Sequence, residues 1–163
     1  TYQGGQHGHG TVFALRPDGT DFTILHNFQS GVTNNGAYPY ASLLLDTHGR
    51  LCGTTYAGGQ YGYGTVFALE HDGTNFTILH DFRNGVADNG AYPYASLIQD
   101  PADERLYGTT NTGGQHGYGT VFAVDPAGAT ALEVLHAFDL LGGANGGAQA
   151  EQQRHSCRRK AKV

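Results

Sequence analysis

The chain of 163 residues contains no Met, no Trp, only two Cys and no Lys before residue 160. It has no apolar run near the roughly 18 residues that a spanning helix needs, so the sequence predicts no membrane span. Residues 1–150 carry four Arg against 13 acidic residues. Because nucleic-acid binding needs a basic surface that neutralises phosphates, this balance argues against a nucleic-acid partner.

The dominant feature that is present is an internal repeat. The triplet Gly4-Gly5-Gln6 recurs as Gly58-Gly59-Gln60 and as Gly113-Gly114-Gln115, which gives periods of 54 and 55 residues. The additional residue falls in the turn 100–105, which replaces the shorter turn 46–50. Insertions concentrate in surface turns, so the change of period leaves the repeat intact.

Each repeat is predicted to contain four short strands. In the central repeat they are 41–46 (ASLLLD), 50–56 (RLCGTTY), 65–69 (TVFAL) and 76–82 (FTILHDF). These segments are rich in β-branched and aromatic residues, and turn sequences such as His71-Asp72-Gly73 separate them. A glycine-rich link, 57–64, joins the second strand to the third. No segment has a helical period of useful length, so we predict an all-β chain.

A repeated unit of four antiparallel strands is typical of a β-propeller blade. On this interpretation tandem β-repeats occupy 1–138, as a partial blade 1–28 (repeat 1) and the blades 39–82 (repeat 2) and 93–138 (repeat 3). Closed propellers have ~4–8 blades, whereas this chain supplies about two and a half. We expect a partial propeller, completed by further blades of a longer parent protein or by self-association. The alternative is an open, β-solenoid-like stack of the same strands.

The repeated sequence resembles the Gloeo/Verruco tandem repeat, also called the GloVer repeat. The resemblance covers nearly all of 1–138. It rests on Gly58-Gly59, Gly64-Thr65-Val66-Phe67, Asp72-Gly73, Leu79-His80, Phe82, Pro93 and Leu106-Tyr107-Gly108-Thr109-Thr110, which recur within the chain. Members of this family are bacterial tandem-repeat proteins, often with a C-terminal surface-sorting signal. The resemblance therefore implies an extracellular or bacterial cell-surface location, and it supplies no catalytic residues.

The sequence departs from the repeat after Phe138. Where Tyr-Pro-x-Ala-Ser-Leu is expected, residues 149–160 read QAEQQRHSCRRK. We predict that 139–163 is a degenerate, disordered tail, and we hypothesise a shift of reading frame near Ala148. Translating the source DNA in the other two frames tests this hypothesis, which fails if neither frame restores Pro-x-Ala-Ser-Leu. The alternative is a basic tail for nucleic acid or an anionic surface.

Tyrosine and asparagine concentrate in the links. In an up-and-down sheet alternate connections lie on alternate faces, so the links 56–64 and 83–93 are expected to share one face. Nine of the ten tyrosines lie in or beside such links, and only Tyr107 is predicted within a strand. Such a surface suits recognition by stacking and hydrogen bonding, with sugars as a natural class of ligand. Alternatively, the tyrosines pack between blades and fix the links. The candidate ligand-binding residues are Tyr38, Tyr40, Tyr56, Tyr61, Tyr63, Tyr92, Tyr94, Tyr118, Asn35 and Asn89.

The histidine and cysteine patterns predict no metal site. His7 and His9 are replaced by tyrosines in the next repeat, which does not suit zinc with its three or four fixed donors. The two cysteines have no zinc-type spacing, and Cys52 is replaced by Tyr107 one repeat later. One histidine recurs in every repeat, and we expect it to have a structural role, through a hydrogen bond to a neighbouring strand. These histidines are His26, His80 and His136.

Calcium binding and catalysis are also not predicted. The segments 18–21 and 72–75 are acidic but lack the run of oxygen donors of an EF-hand loop, and Asp-Gly between strands is first a hairpin turn. No nucleophile motif accompanies a base, and the acidic residues are scattered through turns. We therefore predict a non-catalytic extracellular repeat module, without cofactor, for structure or interaction with a glycan or another surface protein. The alternative is a carbohydrate-binding propeller that uses the Tyr/Asn-rich face.

Overall fold

The structure is a computed structural model and describes residues 1–85, 89–128 and 130–139. These residues form 13 β-strands and no helix, which confirms the predicted all-β class. Within this part of the chain, no apolar helix of membrane-crossing length is found. The predicted tail beyond Asp139, Cys157 and the proposed frame shift lie outside the described residues.

The strands are short and follow one another in the order expected for tandem repeats. They are β1 Thr11–Ala14, β2 Thr23–Asn27, β3 Gly36–Ala37, β4 Leu44–Leu45, β5 Arg50–Thr55, β6 Ala57–Gly58, β7 Thr65–Glu70, β8 Thr77–Asp81, β9 Gly90–Pro93, β10 Ile98–Gln99, β11 Leu106–Gly113, β12 Thr120–Val124 and β13 Glu133–Ala137.

Repeat 2 forms the predicted four-stranded antiparallel sheet, in the order β4-β5-β7-β8. Its central pair, β5 and β7, is in register from Arg50↔Glu70 to Thr55↔Thr65. Repeat 3 has the same order, β10-β11-β12-β13. Repeat 1 contributes the equivalent of the last two strands, β1 and β2. Among the described residues, no sheet closes on itself.

Three short strands were missed by the sequence analysis, which placed them in links. Strand β6 lies in the link 57–64 and pairs with β3, and β9 lies in the link 83–93 and pairs with the end of β11. In repeat 3, β9 and β10 both precede β11 and pair with different parts of it. Because β9 contains Tyr92, the prediction that Tyr107 is the only tyrosine within a strand is wrong.

The last two strands of every repeat share a β-bulge at the same position. The register shifts directly after Val12, Val66 and Val121, so that one leucine of the partner strand has no counterpart. A bulge re-aims the extra side chain. The bulged residues are Leu25, Leu79 and Leu135.

The apolar core lies between repeats, where sheets pack face to face. Between repeats 1 and 2, the rings of Phe28 and Phe67 meet edge to face with centroids 5.2 Å apart. Between repeats 2 and 3, Phe82 and Phe122 meet with the same separation of 5.2 Å. All four rings are fully buried. The faces that meet between repeats 1 and 2 and between repeats 2 and 3 are therefore buried by packing of one sheet on the next.

A buried ion pair lies where the first turn of repeat 2 meets repeat 3. The Asp46 side chain is fully buried and accepts two hydrogen bonds from the Arg50 guanidinium, at 2.9 and 3.1 Å. Arg50 Nη2 also donates to the carbonyl of Pro126, 2.9 Å away in repeat 3. Burial raises the pKa of Asp46, but hydrogen bonds from Arg50 and His48 and the Arg50 charge bring the pKa below its ordinary value. The pair therefore fixes one repeat against the next.

Candidate ligand-binding face

The two kinds of link lie side by side, as the sequence analysis expects. Besides the β3–β6 pair, Gly59 N–H donates to the Asn35 carbonyl at 2.6 Å. The same bond recurs one repeat later, from Gly114 N–H to the Asn89 carbonyl, also at 2.6 Å. These bonds hold the glycine loops of repeats 2 and 3 against the segments that lead into those repeats.

The glycine loops 4–10, 58–64 and 113–119 adopt one conformation. In each loop the N–H of the last residue donates to the carbonyl of the first, at 3.0 to 3.2 Å. Beneath the loop, two threonine hydroxyls meet in a buried pair, Thr55–Thr65 at 2.8 Å and Thr110–Thr120 at 2.9 Å. The loop is thus anchored from below and presents its outer residues to solvent.

Three exposed tyrosines form a continuous stack on this face. Tyr40 lies between Tyr2 and Tyr94, with ring centroids 4.8 Å apart on both sides and interplanar angles of 22° and 25°. The side chains are 46%, 40% and 58% exposed for Tyr2, Tyr40 and Tyr94 respectively. Partial burial, then the nearby phenols of Tyr94 and Tyr2, raise the pKa of Tyr40. We call these three residues the tyrosine stack.

A second group of tyrosines supports the stack from beneath. Tyr56 and Tyr92 are stacked at 4.9 Å, and Tyr63 meets Tyr92 edge to face at 5.4 Å. Tyr56 in turn meets Tyr40 and Tyr94 edge to face, at 5.7 and 6.1 Å. Because these three rings are half-buried, their packing positions the exposed stack.

Tyr38 and Tyr92 occupy equivalent positions and both have a positive φ, of 61° and 56°. This left-handed conformation is unfavourable for a residue with a Cβ. It is held by equivalent backbone bonds, from Tyr38 N–H to the His9 carbonyl at 2.9 Å and from Tyr92 N–H to the Tyr63 carbonyl at 2.8 Å. The same strained tyrosine recurs in two repeats, a feature that is common at functional sites.

The remaining predicted tyrosines lie apart from the stack. Tyr61 is 41% exposed, with the Arg83 guanidinium 5.1 Å from its ring centroid. Tyr118 is 46% exposed on the glycine loop of repeat 3. The structure thus brings Tyr40, Tyr56 and Tyr94 together and leaves these two on the outer loops.

Asn35 and Asn89 bind the recurring histidines. His26 Nε2 lies 3.0 Å from Asn35 Oδ1, and His80 Nε2 lies 3.3 Å from Asn89 Oδ1. Asn35 Oδ1 also accepts the Gly36 N–H at 2.9 Å. Burial lowers the pKa of both histidines, and the asparagine hydrogen bonds only partly offset it. The predicted hydrogen bond is thus present at His26 and His80, but its partner is an asparagine of the link, whereas a neighbouring strand was expected.

The acidic turns are stabilised internally. Asp18 Oδ1 accepts the N–H and the hydroxyl of Thr20, and Asp72 Oδ1 accepts those of Thr74, all within 3.0 Å. The threonine hydroxyl, followed by the backbone N–H, lowers the pKa of each aspartate. Among the described residues, no three His, Cys, Asp or Glu side chains are placed to share a metal ion. Cys52 is buried, and burial raises the pKa of its thiol to about 12.

A shallow depression of about 500 Å³ lies beside the turns of repeat 3, away from the tyrosine stack. Among its lining side chains, Arg105 pairs with Glu133 at 2.8 Å, and His48 Nε2 lies 4.0 Å from the Glu104 carboxylate. The Tyr107 hydroxyl donates to Asp103 at 2.5 Å, and its pKa is raised to about 12, first by burial and then by this bond. Tyr107 is half-buried, whereas the three rings of the tyrosine stack are exposed, so the tyrosine stack is more accessible to a ligand than the ring of Tyr107.

The predicted site omitted Tyr2, which the structure places at one end of the tyrosine stack. The repeat itself carries the signal that identifies it, because Tyr2 is one period before Tyr56. Tyr56 lies edge to face against Tyr94, in the place where Tyr2 lies against Tyr40.

Comparison with known proteins identifies a family. A sequence model of the Gloeobacter/Verrucomicrobia repeat matches residues 1–156, which extends beyond Phe138. No curated protein matches the chain. The matched region contains every repeat and both aromatic groups described above. The chain therefore belongs to the Gloeobacter/Verrucomicrobia repeat family.

Proposed function

We propose that this chain is a non-catalytic, extracellular repeat module for structure or interaction, with its repeats arranged as blades of a partial β-propeller. The proposal is carried by one observation: the apolar interface between repeats is formed twice with the same geometry. Phe28 meets Phe67 at 61°, and Phe82 meets Phe122 at 63°. A constant relation between neighbours is what successive blades of a propeller require.

The inner strands support a propeller over an open stack. Ser42 N–H donates to Ser96 Oγ at 3.2 Å, and Thr47 N–H donates to Gln99 Oε1 at 2.8 Å. These bonds lie at or beside β4 and β10, the first strands of the two sheets, and neighbouring blades of a propeller converge at their innermost strands. In a solenoid, equivalent strands of successive repeats pair edge to edge. Here each repeat keeps a separate sheet and packs face to face.

A carbohydrate ligand is the second candidate, and the exposed tyrosine stack favours it. Aromatic rings offer an apolar face to the C–H side of a sugar, and their hydroxyls offer hydrogen bonds. Both faces of Tyr40 are covered by its neighbours, so stacking is open only on the outer faces of Tyr2 and Tyr94. We therefore place the sugar ring on Tyr94, the most exposed of the three.

Titration calorimetry with cello-, chito-, xylo- and malto-oligosaccharides tests this second candidate. For any ligand bound, Tyr94→Ala is expected to weaken binding about tenfold, which corresponds to about 1.4 kcal/mol. Tyr94→Phe, which keeps the ring, loses less, and Tyr107→Ala, remote from the stack, retains the affinity. Binding that is unaffected by Tyr94→Ala excludes the tyrosine stack as the site.

The same samples test the non-catalytic assignment. After prolonged incubation, mass spectrometry is expected to recover each oligosaccharide intact, and cleaved or modified products would contradict the proposal. The proposed location is tested separately, by protease accessibility of the parent protein on intact bacteria. Protection of the repeat until the cells are lysed would contradict a surface location.

A further inference from the structure

Repeat 1 leaves uncovered a face that is buried in the next repeat. Phe13, Leu15, Phe22 and Ile24 are 40%, 49%, 60% and 43% exposed. We call these four residues the upstream face. At the equivalent positions of repeat 2, Phe67 and Leu69 are fully buried, and Phe76 and Ile78 pack into the same cluster. The upstream face thus has the composition of an interface.

Among the residues that the structure describes, none covers the complementary face of repeat 3. Its residues Val121, Leu135 and Phe138, which we call the downstream face, are half-buried or exposed, with Leu135 46% exposed. Their equivalents in repeat 1 pack against repeat 2, and their equivalents in repeat 2 pack against repeat 3. Those equivalents are Val12, Leu25 and Phe28 in repeat 1, and Val66, Leu79 and Phe82 in repeat 2.

We propose that the downstream face of one copy of this chain docks on the upstream face of a second copy. The partner is identified by the chain itself, because these two types of face already meet at both internal interfaces. The new contact continues that interface between molecules. Docking of these two faces does not require a ligand on the tyrosine stack.

The internal interfaces define the contacts between copies. Phe138 of one copy meets Phe13 of the next edge to face, in the place of the Phe28–Phe67 pair. His136 stacks on Phe22, as His26 stacks on Phe76 at 3.7 Å with an interplanar angle of 5°. These positions follow from the repeat alignment and from the shared bulge.

A polar contact is expected beside these rings. At the internal interface, Arg50 donates to the carbonyl of Pro126. The equivalent residues at the two open faces are Arg105 and Pro17, so Arg105 of one copy reaches the Pro17 carbonyl of the next. Arg105 is held nearby by its ion pair with Glu133.

The association is heterologous, because two different faces meet. Such contacts produce rings when the rotation closes and open chains when it does not. In an isologous dimer two upstream faces meet, so a variant whose upstream face is intact dimerises without a second variant. In the heterologous arrangement, a variant that has lost either face needs a partner with the complementary face. Mixing therefore distinguishes the two arrangements.

Sedimentation velocity on the full chain, over a wide range of concentration, tests the proposal. The unsubstituted chain is expected to form species larger than one chain as concentration rises. Phe22→Glu disables the upstream face and Leu135→Glu disables the downstream face, so each variant alone sediments as a monomer. Mixed in equal amounts, the two variants form a dimer and nothing larger, because one intact face of each type remains.

Thr77→Glu adds the same charge on an exposed strand position outside both faces and is expected to leave self-association unchanged. Phe22 and Leu135 are exposed in the single chain, so circular dichroism should show that both variants remain folded. An unsubstituted chain that is monomeric at every concentration overturns the proposal. Persistent association of Phe22→Glu, or a mixture that contains only monomers, also overturns it.

Discussion

At the scale of single residues, equivalent positions in successive repeats have different partners. Asp46 is buried and bonded to Arg50, whereas Asp100 accepts the N–H of Ala102 and Arg105 pairs with Glu133 instead. The sequence predicts a turn at both aspartates. It does not predict the ion pair, because that depends on how far the neighbouring repeat covers the turn.

Replacement of Asp46 tests this difference. Asp46→Ala is expected to lower the free energy of unfolding by about 3 kcal/mol, because it leaves a partly buried guanidinium and two backbone N–H groups without their acceptor. Asp100→Ala, the matched control, is expected to cost about 1 kcal/mol, for one lost hydrogen bond. Urea denaturation at neutral pH measures both variants. Equal losses would contradict the structural role of the ion pair.

The buried histidines predict how stability depends on pH. The pKa values of His26 and His80 lie below their ordinary value of 6.5 in the folded chain, so the unfolded chain binds these protons more readily. The contribution of these two histidines to the free energy of unfolding is therefore fully present above pH 6.5. It is lost as the pH falls from 6.5 towards their folded-state pKa values.

Thermal unfolding at a series of pH values checks this dependence. The transition temperature of the unsubstituted chain is expected to fall between about pH 7.5 and pH 5.5, and the decrease should be smaller in the double variant His26→Gln/His80→Gln. An undiminished decrease in the double variant would assign the effect to other groups.

At the scale of elements, the strands of repeat 2 were largely predictable. The predicted segments 50–56, 65–69 and 76–82 contain or nearly match β5, β7 and β8, because alternating and β-branched residues identify paired strands. The segment 41–46 was predicted as one strand, but only β4 is paired there. The chain turns just before this segment, at Tyr38, which has a positive φ. A positive φ at a tyrosine has no signature in the sequence, so this turn was not predicted.

The glycine loop provides a matched pair of substitutions. Gly62 and Gly64 both have a positive φ, of 83° and 97°. A Cβ at Gly62 meets nothing within 4 Å, whereas one at Gly64 lies 2.4 Å from the Thr55 carbonyl and 2.7 Å from Pro93 Cδ. The second glycine is therefore required by close packing as well as by its backbone conformation.

We expect Gly62→Ala to cost about 1 kcal/mol, from the left-handed conformation alone. Gly64→Ala should cost about 3 kcal/mol, because the loop must also move away from the link to repeat 3. Denaturant unfolding of both variants gives the comparison. A similar cost at both positions would show that the loop does not pack as described.

At the scale of the whole molecule, the repeat and the stacking of neighbouring units were predictable, but the residues of the interface were not. Recurrence of the glycine triplet reveals the number of units and their order. It does not reveal that Phe28 and Phe82, directly after β2 and β8, pack against the next repeat, since that depends on the orientation of whole sheets. For the same reason, the sequence identified most tyrosines of the face but did not predict the tyrosine stack.

The interface between repeats is tested by one substitution at equivalent positions. Phe82→Ala is expected to cost about 3 kcal/mol, because it leaves a cavity against Phe122. Phe138→Ala should cost about 1 kcal/mol, because its ring is only half-buried. Both variants should be compared at concentrations low enough to keep the chain monomeric. A larger loss at Phe138 would contradict the assignment of the interface.

The central claim is that each repeat is one antiparallel sheet that packs face to face on its neighbours. Nuclear Overhauser effects between aromatic rings test this claim most directly, on the full chain with Phe22→Glu to limit association. The account predicts contacts from Phe28 to Phe67 and from Phe82 to Phe122, together with cross-strand contacts between β5 and β7. Absence of both ring contacts, or helical patterns within the repeats, would contradict it.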